Sequence, residues 1–334
     1  MKVAAITGPH QATLIDQPDP HPRDELVVVE VRAAPMCTEY KAYREGHLTQ
    51  NLGHEAAGQV VEVARPGRVK VGDRVAVMPQ YPCGRCALCV AGDYIHCQNL
   101  LDLRGVSGTA TYAQYLLKHD WLLLPLDPDI SYAHGSMACC GLGPTFGAMQ
   151  RLGVSAFDTV LITGMGPVGL GGVINGVYRG ARVLVVEQHP FRRQLALDLG
   201  ASAAFDPSQD QLLQAIMDLT GGLGVDKAID CSGAPQAQRL LIDAARRRGQ
   251  VAFVGEGGPL EIDVSRDLIR KGLTLHGSWH WNLPDAPKLM QVIRRSGPQI
   301  DRLITHHFPM SAVPEAWELQ LRGECGKVIL QPWE

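Results

Sequence analysis

A chain of 334 residues, 46% hydrophobic and 19% charged, has the apolar content for one very large domain or two ordinary ones. A formal net charge of -3, with no long Lys/Arg block, gives no electrostatic basis for nucleic-acid binding. No apolar run approaches the ~18 residues of a membrane span, and the opening MKVAAITGPHQATLID lacks the apolar stretch of a signal peptide, so a cytoplasmic enzyme is expected.

The first residues able to carry chemistry lie in APMCTEY, with Cys37, Thr38 and Glu39, and in NLGHEAAG, with His54 and Glu55. Singly, such a cysteine reads as a small buried hydrophobe and such a histidine as a hydrogen-bonded structural residue. CGRCALCVAGDYIHC is a stronger signal. Cys83, Cys86, Cys89 and Cys97 follow the spacing Cys-x2-Cys-x2-Cys-x7-Cys. In a reducing compartment, thiols this close point to metal rather than to disulfides. Four sulfurs complete a zinc tetrahedron and leave no open position, so this zinc is expected to be structural. Further on, MACCGLG offers Cys139 and Cys140. A catalytic zinc takes three protein ligands and keeps one position open, and the scattered Cys37, His54, Glu55, Cys139 and Cys140 are its candidates.

DTVLITGMGPVGLGGVINGVYRGARVLVVEQHPFRR reads as a βαβ unit. Val160 to Thr163 forms a buried strand. Gly164, Gly166 and Gly169, with Pro167 and Val168 between the last two, spell G-x-G-x-x-G at the start of a helix. The first glycine permits the turn, the second admits a pyrophosphate and the third lets helix pack on strand. The pyrophosphate then meets free N–H groups at the helix N-terminus. The next strand, Arg182 to Val186, ends at Glu187, placed ~20 residues on, where a ribose-binding carboxylate belongs. Glu187 favours NAD over NADP, because it accepts from a 2′-hydroxyl and repels a 2′-phosphate. Arg192 and Arg193 lie near enough to help hold the adenosine side.

VDKAIDCSG predicts a further buried strand, with Ser232 at its cofactor end and Cys231 within it as a core residue. GQVAFVGEGG and GLTLHGSW predict two more, and PFRRQLALDLG and APQAQRLLIDAARRRG have helical spacing. Arg246 to Arg248 is expected at that helix end, solvated and complementing its dipole. The alternation describes a doubly wound sheet.

GHEAAGQVVEV with VKVGDRV, the four-cysteine segment, GMGPVG and AIDCSG together resemble the zinc-containing medium-chain dehydrogenase/reductase family, in its alcohol and polyol dehydrogenase branch. The resemblance covers essentially the whole chain. It implies an α/β protein: a GroES-like, β-rich catalytic domain over 1–145, a Rossmann nucleotide-binding domain over 146–282, and a C-terminal return over 283–334. DAPKLMQVIRRSG would be a returning helix and GKVILQP a last strand.

The resemblance also implies two Zn2+ per chain and NAD. Cys37 and His54 match the first two catalytic zinc ligands, and Glu55 matches the acid beside the metal. The third ligand is Cys139 or Cys140, and the distance to Gly164 favours Cys140. The family's Cys-x-Ser/Thr-Asp, whose hydroxyl starts a proton relay, is altered here to Cys37-Thr38-Glu39. Ala42 stands where a relay histidine is often found, with His47 further on. Thr38 or Glu39 would then take the proton.

The implied reaction is NAD-linked oxidation of an alcohol, or the reverse reduction, with a polyol, cyclitol or amino alcohol preferred to ethanol. A zinc-independent quinone or enone reductase on this fold would hold one zinc rather than two, and a non-catalytic relative would bind cofactor without turnover. A homodimer or homotetramer is implied. Trp279, His280 and Trp281 are expected at a subunit interface rather than in a substrate pocket. Cys325 carries no assignment beyond a core or surface thiol.

Overall fold

The structure, a computed structural model, describes residues 1–334. The chain forms two compact units, one of Met1–Gly141, Asn282–Gly297 and Ile304–Glu334, the other of Leu142–Trp281 and Pro298–Leu303. Pro298–Leu303 groups with the second unit, although the expected C-terminal return ran unbroken from residue 283.

The first unit is built on a seven-stranded sheet, in the order Ile304–Pro309, Lys327–Gln331, Leu26–Pro35, Ala56–Glu62, Arg74–Val77 and Leu123–Pro125, with Tyr115–His119 paired to Leu26–Pro35. Leu26–Pro35, LVVVEVRAAP, carries the β-branched run that suits a central strand. Antiparallel pairing sets Ile329 against Pro35 and Leu330 against Ala34, so the last strand runs beside the segment that ends at Cys37. The core joins Val27, Val29, Val31, Met36, Tyr43, Tyr112 and Trp317. Trp317, on the helix Val313–Arg322, stacks on Tyr43 with ring centroids 4.8 Å apart.

In the second unit six parallel strands run in the order Ala203–Phe205, Arg182–Val186, Thr159–Thr163, Val225–Asp230, Ala245–Phe253 and Thr274–Gly277. Val160, Leu161 and Ile162 are fully buried, as befits a strand covered on both faces. The helix Pro167–Tyr178 opens on a proline whose missing N–H costs nothing at that position. Its Gly172 and Gly176 face Ile162 and Val183, where a side chain would crowd the strands.

Three sequence expectations change. The helix Pro235–Ala244 ends before the arginine run, and Arg246–Arg248 belong to the strand Ala245–Phe253. There they fill a register shift between the Val225–Ala245 and Lys227–Gln250 pairs, with Arg248 at φ 61°; Arg246 bonds Asp226, and Arg247 donates to the Arg270 carbonyl at 2.9 Å. Cys231 lies just past the strand Val225–Asp230 rather than within it, and is half-buried. Trp281 is buried against Phe146 and His280 is buried beside it, which leaves only Trp279 of the three exposed, at 42%. Cys325 is a core residue.

Candidate active site and metal centres

Around the short helix Ala87–Val90 the chain curls so that the Sγ atoms of Cys83, Cys86, Cys89 and Cys97 lie within 4.8 Å of one another. Nearest separations are 3.4 Å for Cys86–Cys89, 3.6 Å for Cys83–Cys97 and 3.9 Å for Cys86–Cys97. All four are free thiols. Backbone N–H groups of Cys83 and Asn99 point at Cys97 Sγ, at 3.3 and 3.4 Å. Backbone donors at Arg85 and Cys86 bring Cys83 down to about 6, while burial pushes Cys89 up to about 12. Four thiols this close ionise together only around a cation, and the donor set fits a closed zinc site.

The second cluster gathers residues far apart in sequence. Cys37 follows the strand Leu26–Pro35, and its carbonyl accepts from Gln320 Nε2 at 3.3 Å. His54 and Glu55 lead into the strand Ala56–Glu62. Cys140 brings its Sγ to 3.7 Å from Cys37 Sγ. One donor atom from each of Cys37, His54, Glu55 and Cys140 falls within 4.8 Å of the others. Cys139 does not join them; its thiol donates to the His54 carbonyl at 3.3 Å.

A shell of hydrogen bonds sets these side chains. Glu39 Oε1 lies 2.8 Å from His54 Nδ1, and Glu39 Oε2 accepts from Tyr112 OH at 2.9 Å and Cys37 N–H at 3.1 Å. Burial opposes the Glu39 charge, but His54 and Tyr112 outweigh it and hold the carboxyl down at about 2. Glu55 Oε1 lies 2.5 Å from Lys327 Nζ, with both side chains fully buried, and Glu55 Oε2 accepts from Cys140 N–H at 3.3 Å. Burial pushes Glu55 up to about 7 against the pull of Lys327. Burial also works against the Lys327 charge, yet Glu55, Cys37 and Cys140 together hold it above its ordinary value.

In the second unit, Gly164 has φ 81°, in the left-handed region, and packs on the Ser232 backbone. A Cβ at Gly169 would sit 1.9 Å from the Gly164 carbonyl oxygen, whereas one at Gly166 meets nothing within 4 Å. The helix therefore presses onto the turn at Gly169 and leaves room above Gly166, ahead of Pro167 and Val168. Glu187 accepts from Met165 N–H at 2.6 Å and His189 N–H at 2.9 Å. Arg193 is pinned to the Glu187 and Gln188 carbonyls and to Asp206, while Arg192 is half-buried on the helix Pro190–Asp198. Buried Asp230 organises the opposite turn, accepting from Thr163 Oγ1 at 3.0 Å, Ser232 Oγ at 2.7 Å and Gln238 Nε2 at 3.0 Å.

Residues 167–295 match the family model described as zinc-binding dehydrogenase, and residues 23–128 match the alcohol dehydrogenase GroES-like domain. An L-threonine 3-dehydrogenase of Symbiobacterium thermophilum is 33% identical, over 96% of this chain and 94% of that protein. The chain belongs to the zinc-containing medium-chain dehydrogenase/reductase family. Solved structures share the fold. Alcohol dehydrogenase TADH from Thermus sp. ATN1 has a TM-score of 0.89 at 22% identity, over 99% of both chains. The 2R,3R-butanediol dehydrogenase from Bacillus subtilis has 0.84 at 25%, again over 99% of both. This medium-chain dehydrogenase is a zinc-type, NAD(H)-linked oxidoreductase of the alcohol/ketone class, with two candidate zinc clusters and a Rossmann domain that suits NAD. No helix is long and apolar enough to cross a membrane.

Of the residues weighed for the dehydrogenase site, Thr38 is exposed beside Cys37, Glu39 is engaged with His54, and His47 lies apart, near Glu45 on exposed side chains. The sequence reading missed Tyr112, Lys327 and Asp230. Lys327 left one signal, a cation directly before the apolar run Val328–Leu330 of the strand KVILQ. Tyr112 left none.

Proposed function

We propose that this dehydrogenase oxidises a small secondary alcohol with a polar neighbouring group, an amino alcohol or a diol first and other polyols or cyclitols after them, using NAD. The observation that carries the reading is the cluster of Cys37, His54, Glu55 and Cys140 donor atoms, with only His54 partly exposed, in a chain that also has the Gly164–Gly169 turn. The substrate class is supported by similarity to an L-threonine 3-dehydrogenase and to a 2R,3R-butanediol dehydrogenase.

Cys37, His54 and Cys140 would hold the catalytic zinc, with Glu55 beside it, and Cys83, Cys86, Cys89 and Cys97 the structural one. When bound, the catalytic zinc supplies a Lewis acid that lowers the pKa of an oxygen ligand. Glu39 occupies His54 Nδ1 and so leaves Nε2 to face the metal. That engagement makes Glu39 a positioning residue and leaves Thr38, exposed next to Cys37, to pass the alcohol proton outward. Gly164, Gly166, Pro167, Val168 and Gly169 would receive the pyrophosphate, and Ser232 is fixed by Asp230 on the adjoining turn. Each Glu187 oxygen keeps a lone pair for a ribose hydroxyl beyond its backbone donor. With Arg193 pinned, 2′-phosphate gains little, which favours NAD; Arg192 would lie on the adenosine side. Nine free thiols suit a reducing, cytoplasmic compartment, and a homodimer or homotetramer follows from the resemblance.

The test is NADH formation by purified protein across amino alcohols, including L-threonine, diols, polyols, cyclitols and simple alcohols, with NADP alongside and zinc counted. Turnover with NAD and one polar subgroup, in protein holding two zincs, is expected. Protein with one zinc, or turnover confined to unsubstituted alcohols, would overturn the reading.

A further inference from the structure

Lys327 and Glu55 form an ion pair with no exposure on either side, 2.5 Å apart, at the edge of the candidate catalytic cluster. Glu55 is itself one of the four grouped donors. Two thiolates, an imidazole and a carboxylate would fill all four positions of a zinc and leave none for substrate. Yet Glu55 is anchored from two sides, Oε1 accepting from Lys327 Nζ and Oε2 from Cys140 N–H at 3.3 Å. For Glu55 to turn to a metal, Lys327 would be left as a buried, uncompensated charge, a costly state in a low-dielectric interior. Nothing else in the cluster competes for Oε1 at hydrogen-bond distance, since His54 Nε2 is 3.8 Å away.

We propose that Lys327 is a positioning residue that restrains Glu55 from becoming a fourth protein ligand and so keeps one position open for substrate. The inference rests on the two-zinc dehydrogenase reading above. A plain structural role for the pair differs in one consequence: losing Lys327 would lower stability but leave the binding of a probe at the open position unchanged in the folded protein.

The test uses cobalt(II) in the catalytic site of the full chain, with imidazole as a probe for an open position, read from the visible spectrum. Lys327→Met is expected to weaken imidazole binding by about tenfold or more, the scale on which groups behind metal ligands act. The double variant E55Q/K327M is expected to recover it, and Lys327→Arg to stay near the parent. Unchanged binding in K327M would overturn the proposal, as would a loss that E55Q/K327M fails to restore. Should K327M fail to fold, Lys327→Gln, uncharged but still a donor, replaces it in the same comparison. Zinc counting on the parent separates the two levels. One zinc per chain ends the dehydrogenase reading, whereas two zincs with an indifferent K327M end only the role of Lys327.

Discussion

Glu39 shows how one residue offsets a shortened motif. It follows Thr38 directly, and its carboxylate still reaches His54 Nδ1, Tyr112 OH and the Cys37 N–H. Glu39→Ala should lower affinity for the catalytic zinc by about 10–100-fold, as loss of a carboxylate behind a metal-bound imidazole does. Metal analysis after mild chelation checks this. Thr38→Val should instead lower kcat with both zincs retained; an unchanged kcat would remove Thr38 from the proton path. Away from the site, Asp267 accepts from Arg239 and Arg266, which hold its carboxyl well below the usual carboxylate range. Its stabilising effect is therefore present above the ordinary pKa of about 3.9 and lost as pH falls through the lower folded value. Asp267→Asn should unfold more easily near neutrality and show a shallower acid dependence below about pH 4, measured by denaturant titration across pH.

At the scale of elements, the nucleotide unit was largely legible because its signals are local. Glycine spacing, buried β-branched runs and an acid at the strand end each act within one βαβ unit. The tightest contact there is Gly169 against the Gly164 carbonyl. Gly169→Ala should cost about 1–3 kcal/mol through overpacking and weaken NADH binding, while zinc content stays at the parent value. Fluorescence titration and metal analysis separate the two. The four-cysteine lobe was legible for the same reason, since its ligands lie along one short segment. The arginine run was misread because a basic cluster after a helix resembles a helix end, whereas the strand already opens at Ala245 and Arg246–Arg248 form its irregular start, between the Val225–Ala245 and Lys227–Gln250 pairs.

For the whole molecule, the two candidate metal centres should be distinguishable. Cys97→Ala should lose one zinc and lower Tm, because a closed four-sulfur site organises the fold around it. Cys140→Ala should lose the other zinc and abolish turnover with a smaller change in Tm. Equal effects of both on Tm would contradict the division into structural and catalytic sites. The sequence by itself determined the two architectures, the four-sulfur lobe, the glycine turn and the candidacy of Cys37, His54 and Glu55, because each is written in spacing or composition over a short stretch. Only the tertiary structure decided that Cys140 rather than Cys139 meets Cys37, that Glu39 orients His54, and that Lys327 engages Glu55. The physical reason is that neighbouring residues in irregular backbone point in different directions. Their partners arrive from 103 residues away for Cys37 and Cys140, and from 272 for Glu55 and Lys327, distances over which no local pattern carries a side chain's aim.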